Sequence, residues 1–97
     1  MDTNILKQLQ EWYAQQCDGD WEYLHGIKIT TIDRPGLKVK INVSDTELED
    51  KPFDPISRKK SNDDWLQCSV INQSFEGYGG QRNLIEILQI FINWTKT

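Results

Sequence analysis

Apolar positions change their period twice along the chain, and the changes mark its elements. Over residues 4 to 17, Ile5, Leu6, Leu9, Trp12, Tyr13 and Gln16 fall at i, i+1, i+4, i+7, i+8 and i+11, the stripe of an amphipathic helix. Thr3 or Asn4 offers a side-chain oxygen to cap it. Asp18-Gly19-Asp20 ends it, since a glycine just past a helix accepts the left-handed conformation. From Gly26 the period is two. Ile27, Ile29 and Thr31 alternate with Lys28, Thr30 and Ile32, and Leu37, Val39, Ile41 and Val43 alternate with Lys38, Lys40 and Asn42, so both stretches read as half-buried strands with a polar outer face. Asp33-Arg34-Pro35-Gly36 between them predicts a turn of type II, with Gly36 at a positive φ, and the pair predicts a β-hairpin.

Residues 44 to 55 carry two prolines and five acids, Asp45, Glu47, Glu49, Asp50 and Asp54, and read as a loop pinned by Leu48 and Phe53. Ile56 to Lys60 suits a short strand and Ser61-Asn62-Asp63-Asp64 a turn. Trp65 to Asn72 alternates again, with Leu66, Cys68 and Val70 on one face. Phe75-Glu76-Gly77 extends the sheet until Gly77-Tyr78-Gly79-Gly80 is expected to break it. Leu84, Ile87, Leu88, Phe91 and Ile92 then form the clearest helical stripe, and Asn83 with Glu86 three residues on matches a capping box. Two apolar helix faces and one apolar sheet face bury one another as a two-layer α+β sandwich, with the N- and C-terminal helices on a mostly antiparallel sheet of four or five strands.

Composition narrows the function. The chain has 97 residues, room for one domain over residues 1–97. It holds 15 acidic and 11 basic side chains and so a net charge of −4 with His25 neutral, which argues against a nucleic-acid binder or an anionic-membrane binder. Its only basic run, Arg58-Lys59-Lys60, is short. No apolar run approaches the ~20 residues of a membrane span, and the N-terminus shows no secretory pattern, so a cytoplasmic location is expected. Cys17 and Cys68 are too few for a disulfide scaffold and read as small hydrophobes.

Three constellations carry candidate chemistry. Asp18, Asp20, Glu22 and His25 lie close together but match no metal-ligand template, since Gly19 and Trp21 stand where a calcium loop needs other residues. Adding Cys17 gives the rival reading of a metal- or thiol-dependent enzyme centred on Cys17, Asp18, Asp20 and His25. Gly77-Tyr78-Gly79-Gly80 before a helix suggests a phosphate loop but lacks the Lys-Ser/Thr ending. The third is the acidic loop, which reads as a negative patch for a basic partner. Trp12 and Trp94 fall with helical stripes, whereas Trp21 and Trp65 adjoin turns, where partial exposure and an interface role are expected, with a place in the core an equal alternative for Trp65.

Trp12-Tyr13, Cys17-Asp18-Gly19-Asp20-Trp21-Glu22, Gly26-Ile27-Lys28-Ile29, Pro35-Gly36, Leu48-Glu49-Asp50-Lys51-Pro52-Phe53, Asp64-Trp65, Phe75-Glu76-Gly77 and the helix from Asn83-Leu84 to Trp94 together resemble the immunity protein 53 family of bacterial polymorphic toxin systems. The resemblance runs in order over residues 9 to 94. It departs at His25 and Leu37, where the family suggests aromatics. Membership implies a small cytoplasmic protein that binds and silences a cognate toxin, with no catalysis and no cofactor. A nuclease-type toxin is expected from the acidic surface, and the inhibitor is expected to be a monomer or weak homodimer. The toxin-binding candidates are Asp18, Asp20, Trp21, Glu22, Asp45, Glu47, Glu49, Asp50, Asp54 and Trp65.

Overall fold

Alternation of large apolar side chains with lysines, hydroxyls and amides gives the middle of the chain one dry and one wet face, and the fold is the sealing of the dry one. The computed structural model describes residues 4–33 and 35–97. In order they form α1 (Ile5–Gln16), α2 (Trp21–Leu24), β1 (Ile27–Ile32), β2 (Gly36–Asn42), β3 (Ile56–Ser61), β4 (Asp64–Ile71), β5 (Ser74–Gly79) and α3 (Leu84–Thr95). The strands make one five-stranded sheet in the order β1-β2-β5-β4-β3, antiparallel throughout. The predicted α+β architecture is therefore present. After the β1-β2 hairpin the 43–55 segment carries the chain to the far edge, and β3-β4-β5 meander back to close against β2.

Registers fix the faces. Ile41 pairs with Phe75, Val39 with Gly77 and Leu37 with Gly79, while Val70, Cys68 and Leu66 stand opposite the same three residues of β5. Val39, Ile41, Phe75, Leu66 and Cys68 are buried there with Ile87, Leu88, Phe91 and Ile92 of α3. The ring of Phe91 meets Trp12 at 5.0 Å and Phe75 at 5.2 Å, both edge to face, the favoured aromatic geometry. Burial also pushes the Cys68 thiol up to about 11, which fits its reading as a core hydrophobe.

The glycine run does not break the sheet. Gly77 and Gly79 lie in the central strand β5, where Ile87 of α3 approaches too closely for side chains, and Gly80 follows the end of that strand. A Cβ on Gly77 would stand 2.4 Å from Ile87 Cγ2, and one on Gly80 would stand 2.4 Å from the Asp63 carbonyl oxygen. Gly36, also in a strand, is not at a positive φ, contrary to the type II turn expectation. A Cβ there would meet the Gly79 carbonyl oxygen at 2.4 Å, so close approach explains the residue. Arg34 of that turn lies outside the described residues.

The caps depart from expectation at Asn4 and Asn83. Asn4 makes no side-chain cap bond, and Thr3 lies outside the described residues. Asn83 turns its side chain backward. Its Oδ1 accepts from the amides of Gly80 (3.1 Å) and Trp65 (3.3 Å), and its Nδ2 donates to Glu86 (2.7 Å) and Asp64 (3.1 Å). It thereby ties the start of α3 to β4 and to the end of β5.

α3 lies on β5 and β2, whereas α1 packs chiefly against α3. Only Ile5, Leu9 and Trp12 of the α1 stripe are buried; Leu6 and Tyr13 face outward. The inner side of β1 is correspondingly less covered than expected, and Ile29 is 42 % exposed.

Candidate functional site

Two acidic segments far apart in sequence meet at one end of the molecule. The first is the turn between α1 and α2. Gly19 takes the expected positive φ, 97°. The Asp18 carboxylate accepts hydrogen bonds from the amides of Asp20 (2.9 Å) and Trp21 (3.0 Å), which hold its carboxyl below the usual carboxylate range. Glu22 reaches back to the amides of Asp18 (3.0 Å) and Gly19 (2.9 Å). These reciprocal bonds start α2, a single turn for which the sequence has too few residues to show a period.

The second segment is the 44–54 loop, pinned as expected by buried Leu48 and by Phe53, whose ring packs on Phe75 and Trp94. Glu49 accepts from the amide of Asp45 at 2.7 Å and so closes the turn at Asp45, itself at a positive φ of 62°. Three tryptophans hold this loop. Trp12 Nε1 donates to Glu47 (2.8 Å), Trp21 Nε1 to the Ser44 carbonyl (2.9 Å) and Trp94 Nε1 to the Pro52 carbonyl (2.9 Å). Lys51 Nζ adds bonds to the carbonyls of Trp94 (2.7 Å) and Thr97 (2.6 Å), where α3 ends and its dipole is negative. The Trp21 bond and the 3.5 Å approach of His25 Nε2 to Asp45 join the two segments.

The candidates thus sort by what their side chains already do. Asp18, Glu22, Glu47 and Glu49 hold backbone or side-chain donors of their own chain, while Asp20, Asp45, Asp50 and Asp54 are exposed, the first two where the segments meet and the last two further along the loop. Trp21 corrects an expectation. It is 3 % exposed, because α2 folds its ring under α1 against Trp12 at 5.8 Å, so it offers no exposed anchor. Trp65 is half-buried but lies elsewhere, on the sheet face that carries no helix, toward the Gly79 end of β5.

A family model described as Immunity protein 53 matches residues 6–96. The chain belongs to the immunity protein 53 family. No curated protein and no solved structure matches it.

For a member of the immunity protein 53 family, the helix-free sheet face is the feature that sequence reasoning missed. Lys28 and Lys40 pair directly across β1 and β2, Lys38 lies 5.4 Å from the Tyr78 ring, and Lys59 pairs with Trp65. Glu76, paired with Lys40, is the acid among them. The only basic run visible along the chain contributes one of these lysines; the rest come from alternate positions of separate strands, where strand register was the missing signal. Trp65 stands between two shallow depressions of this face, of about 430 and 400 Å³.

The residues of the rival constellation are also placed. The Cys17 thiol donates to the Tyr13 carbonyl at 3.3 Å, and His25 faces Asp45. Among the described residues no three His, Cys, Asp or Glu side chains form a group that could hold a metal ion. Among the described residues, too, no helix is long and apolar enough to cross a membrane.

Proposed function

We propose that this member of the immunity protein 53 family neutralises a cognate polymorphic-toxin domain of nuclease type by binding it stoichiometrically in the cytoplasm. The observation that carries the nuclease reading is the convergence of the 18–22 turn and the 44–54 loop into one acidic end, which suits a partner whose nucleic-acid-cleaving surface is basic. Asp20 and Asp45 supply exposed negative charge there, Asp50 and Asp54 add to it further along the loop, and the carboxylates already bonded within the chain keep that surface in shape. Complementary charge of this kind speeds encounter and rejects wrong partners more than it deepens affinity. A contact of ordinary size buries roughly 1,600 Å² in total, with about 20 to 30 residues on each side.

Co-expression with the product of the adjacent upstream gene tests the proposal. Growth rescue together with a co-purifying complex is the expected outcome, and rescue without a complex would argue against direct inhibition. Raising salt is expected to slow association far more than it hastens dissociation. A salt-insensitive on-rate would remove the acidic end from the mechanism.

A further inference from the structure

We propose that the groove between α1 and β1, with the neighbouring Tyr23 and Leu24, is the docking site on which this protein grips its toxin, and that it takes a segment of the toxin bearing apolar side chains flanked by lysine or arginine. The proposal rests on the immunity function above and adds to it the surface and the chemistry of the segment it takes.

The groove has a volume of about 580 Å³ and is lined by Leu6, Leu9, Tyr13, Glu22, His25 and Ile27, among others. It exists because α1 rests on α3 and leaves the inner side of β1 partly uncovered. Leu6 and Tyr13 lie two turns apart on the side of α1 that faces it. Across the His25-Gly26-Ile27 connection a second depression of about 400 Å³ is lined by Tyr23 and Leu24 together with Lys28 and Lys40. Leu6, Tyr23 and Leu24 are 61, 88 and 74 % exposed. A lone exposed leucine is ordinary, but several apolar and aromatic side chains gathered around a concavity mark an interaction surface.

Charge decides between occupants. Glu22 lines the groove, Asp18 and Asp20 belong to the same turn, and Asp45 stands 3.5 Å from the groove residue His25. A second copy of the chain docking patch to patch about a two-fold axis would press these carboxylates against their own kind. A basic, apolar segment meets opposite charge at the Glu22 and Asp45 rim of the groove and apolar surface at its centre, its basic residues lying over the groove and not over the second depression, where Lys28 and Lys40 stand. The rim is part of the acidic end, so steering and gripping occur on adjoining surfaces.

The test uses the intact protein and a catalytically inactivated form of the adjacent upstream gene product as probe. A Tyr23→Ala/Leu24→Ala variant removes two side chains that project into solvent, so its circular dichroism and melting should match the wild type, while its affinity should fall by more than about 100-fold through faster dissociation. Asp20→Lys should slow association about tenfold at low salt. The proposal is overturned if Tyr23→Ala/Leu24→Ala binds within threefold of wild type, most directly if Lys38→Glu/Lys59→Glu on the helix-free face loses affinity instead. It is overturned equally if Asp20→Lys associates faster. Failure of the wild-type protein to bind the probe or rescue growth overturns the immunity function and this proposal together, an outcome distinct from the others.

Discussion

The two edges of the sheet are built differently. At the β3 edge, Arg58 donates to Glu86 of α3 at 2.7 Å and to Asp64 of β4 at 3.1 Å, so a guanidinium staples edge, neighbour and helix. The register shifts between Lys59 and Ser61, and Lys59 and Lys60 stand exposed. Charge and irregularity of this sort discourage pairing with another chain. At the β1 edge the register with β2 is unbroken from Ile27 to Ile32, Lys28 is the strand's only charged side chain, and the apolar groove opens alongside. The contrast teaches that the molecule finishes one flank as a boundary and leaves the other receptive.

If the β3 flank is the sealed one, damage to it should cost stability, and damage to the β1 flank should not. The largest effect is expected from Gly80→Ala, whose Cβ would stand 2.4 Å from the Asp63 carbonyl oxygen and 2.8 Å from Asn83 Oδ1. Backbone must shift to admit it, at a cost of about 3 kcal/mol, measurable by urea denaturation. Asn83→Ala comes next. It leaves the buried amide of Gly80 without its Asn83 acceptor and frees Glu86 and Asp64, for a loss of about 2 kcal/mol by the same measurement.

A smaller effect, with a definite sign in pH, is expected from the Arg58 staple. The bond to Arg58, and then that to Asn83, hold the Glu86 carboxyl below its usual range. The stabilisation is therefore fully present above the unfolded glutamate pKa of about 4.3 and fades as pH falls through the lower folded value. Urea midpoints taken between pH 6 and pH 3 should show Arg58→Ala losing less stability on acidification than the wild type. Smallest of all, Tyr23→Ala and Leu24→Ala on the receptive flank should each leave stability within about 0.5 kcal/mol of wild type by the same denaturation. A large loss there would make the two flanks alike and end the contrast.

What could be read from the chain alone follows from which forces are local. The stripe of α3 and the alternation of β2 and β4 were legible because a fully covered face demands the period at every position. The α1 stripe was read too wide. Leu6 and Tyr13 obey the helical period as well as Leu9 does, and only the seat of α1 on α3 decides which side is buried. Gly77 and Gly79 resembled a chain break because clearance for Ile87 is a tertiary demand with no local sign. Trp21 looked exposed beside its turn because one helical turn is too short to show a pattern. Of the candidate site, the acidic residues were legible as charges, but their meeting at one end, and the lysines gathered on the helix-free face, depend on strand order and register.

The indole bonds to the 44–52 segment give the protein a built-in optical gauge. Three of its four tryptophans, Trp12, Trp21 and Trp94, each direct their N–H to that segment, and Trp65 does not. Any event that peels the segment away would wet three emitters together and move the spectrum to longer wavelength as a unit. One that merely covers it would leave the colour of those three unchanged, so the light from the free and the bound protein distinguishes a surface that is rebuilt from one that is simply occupied.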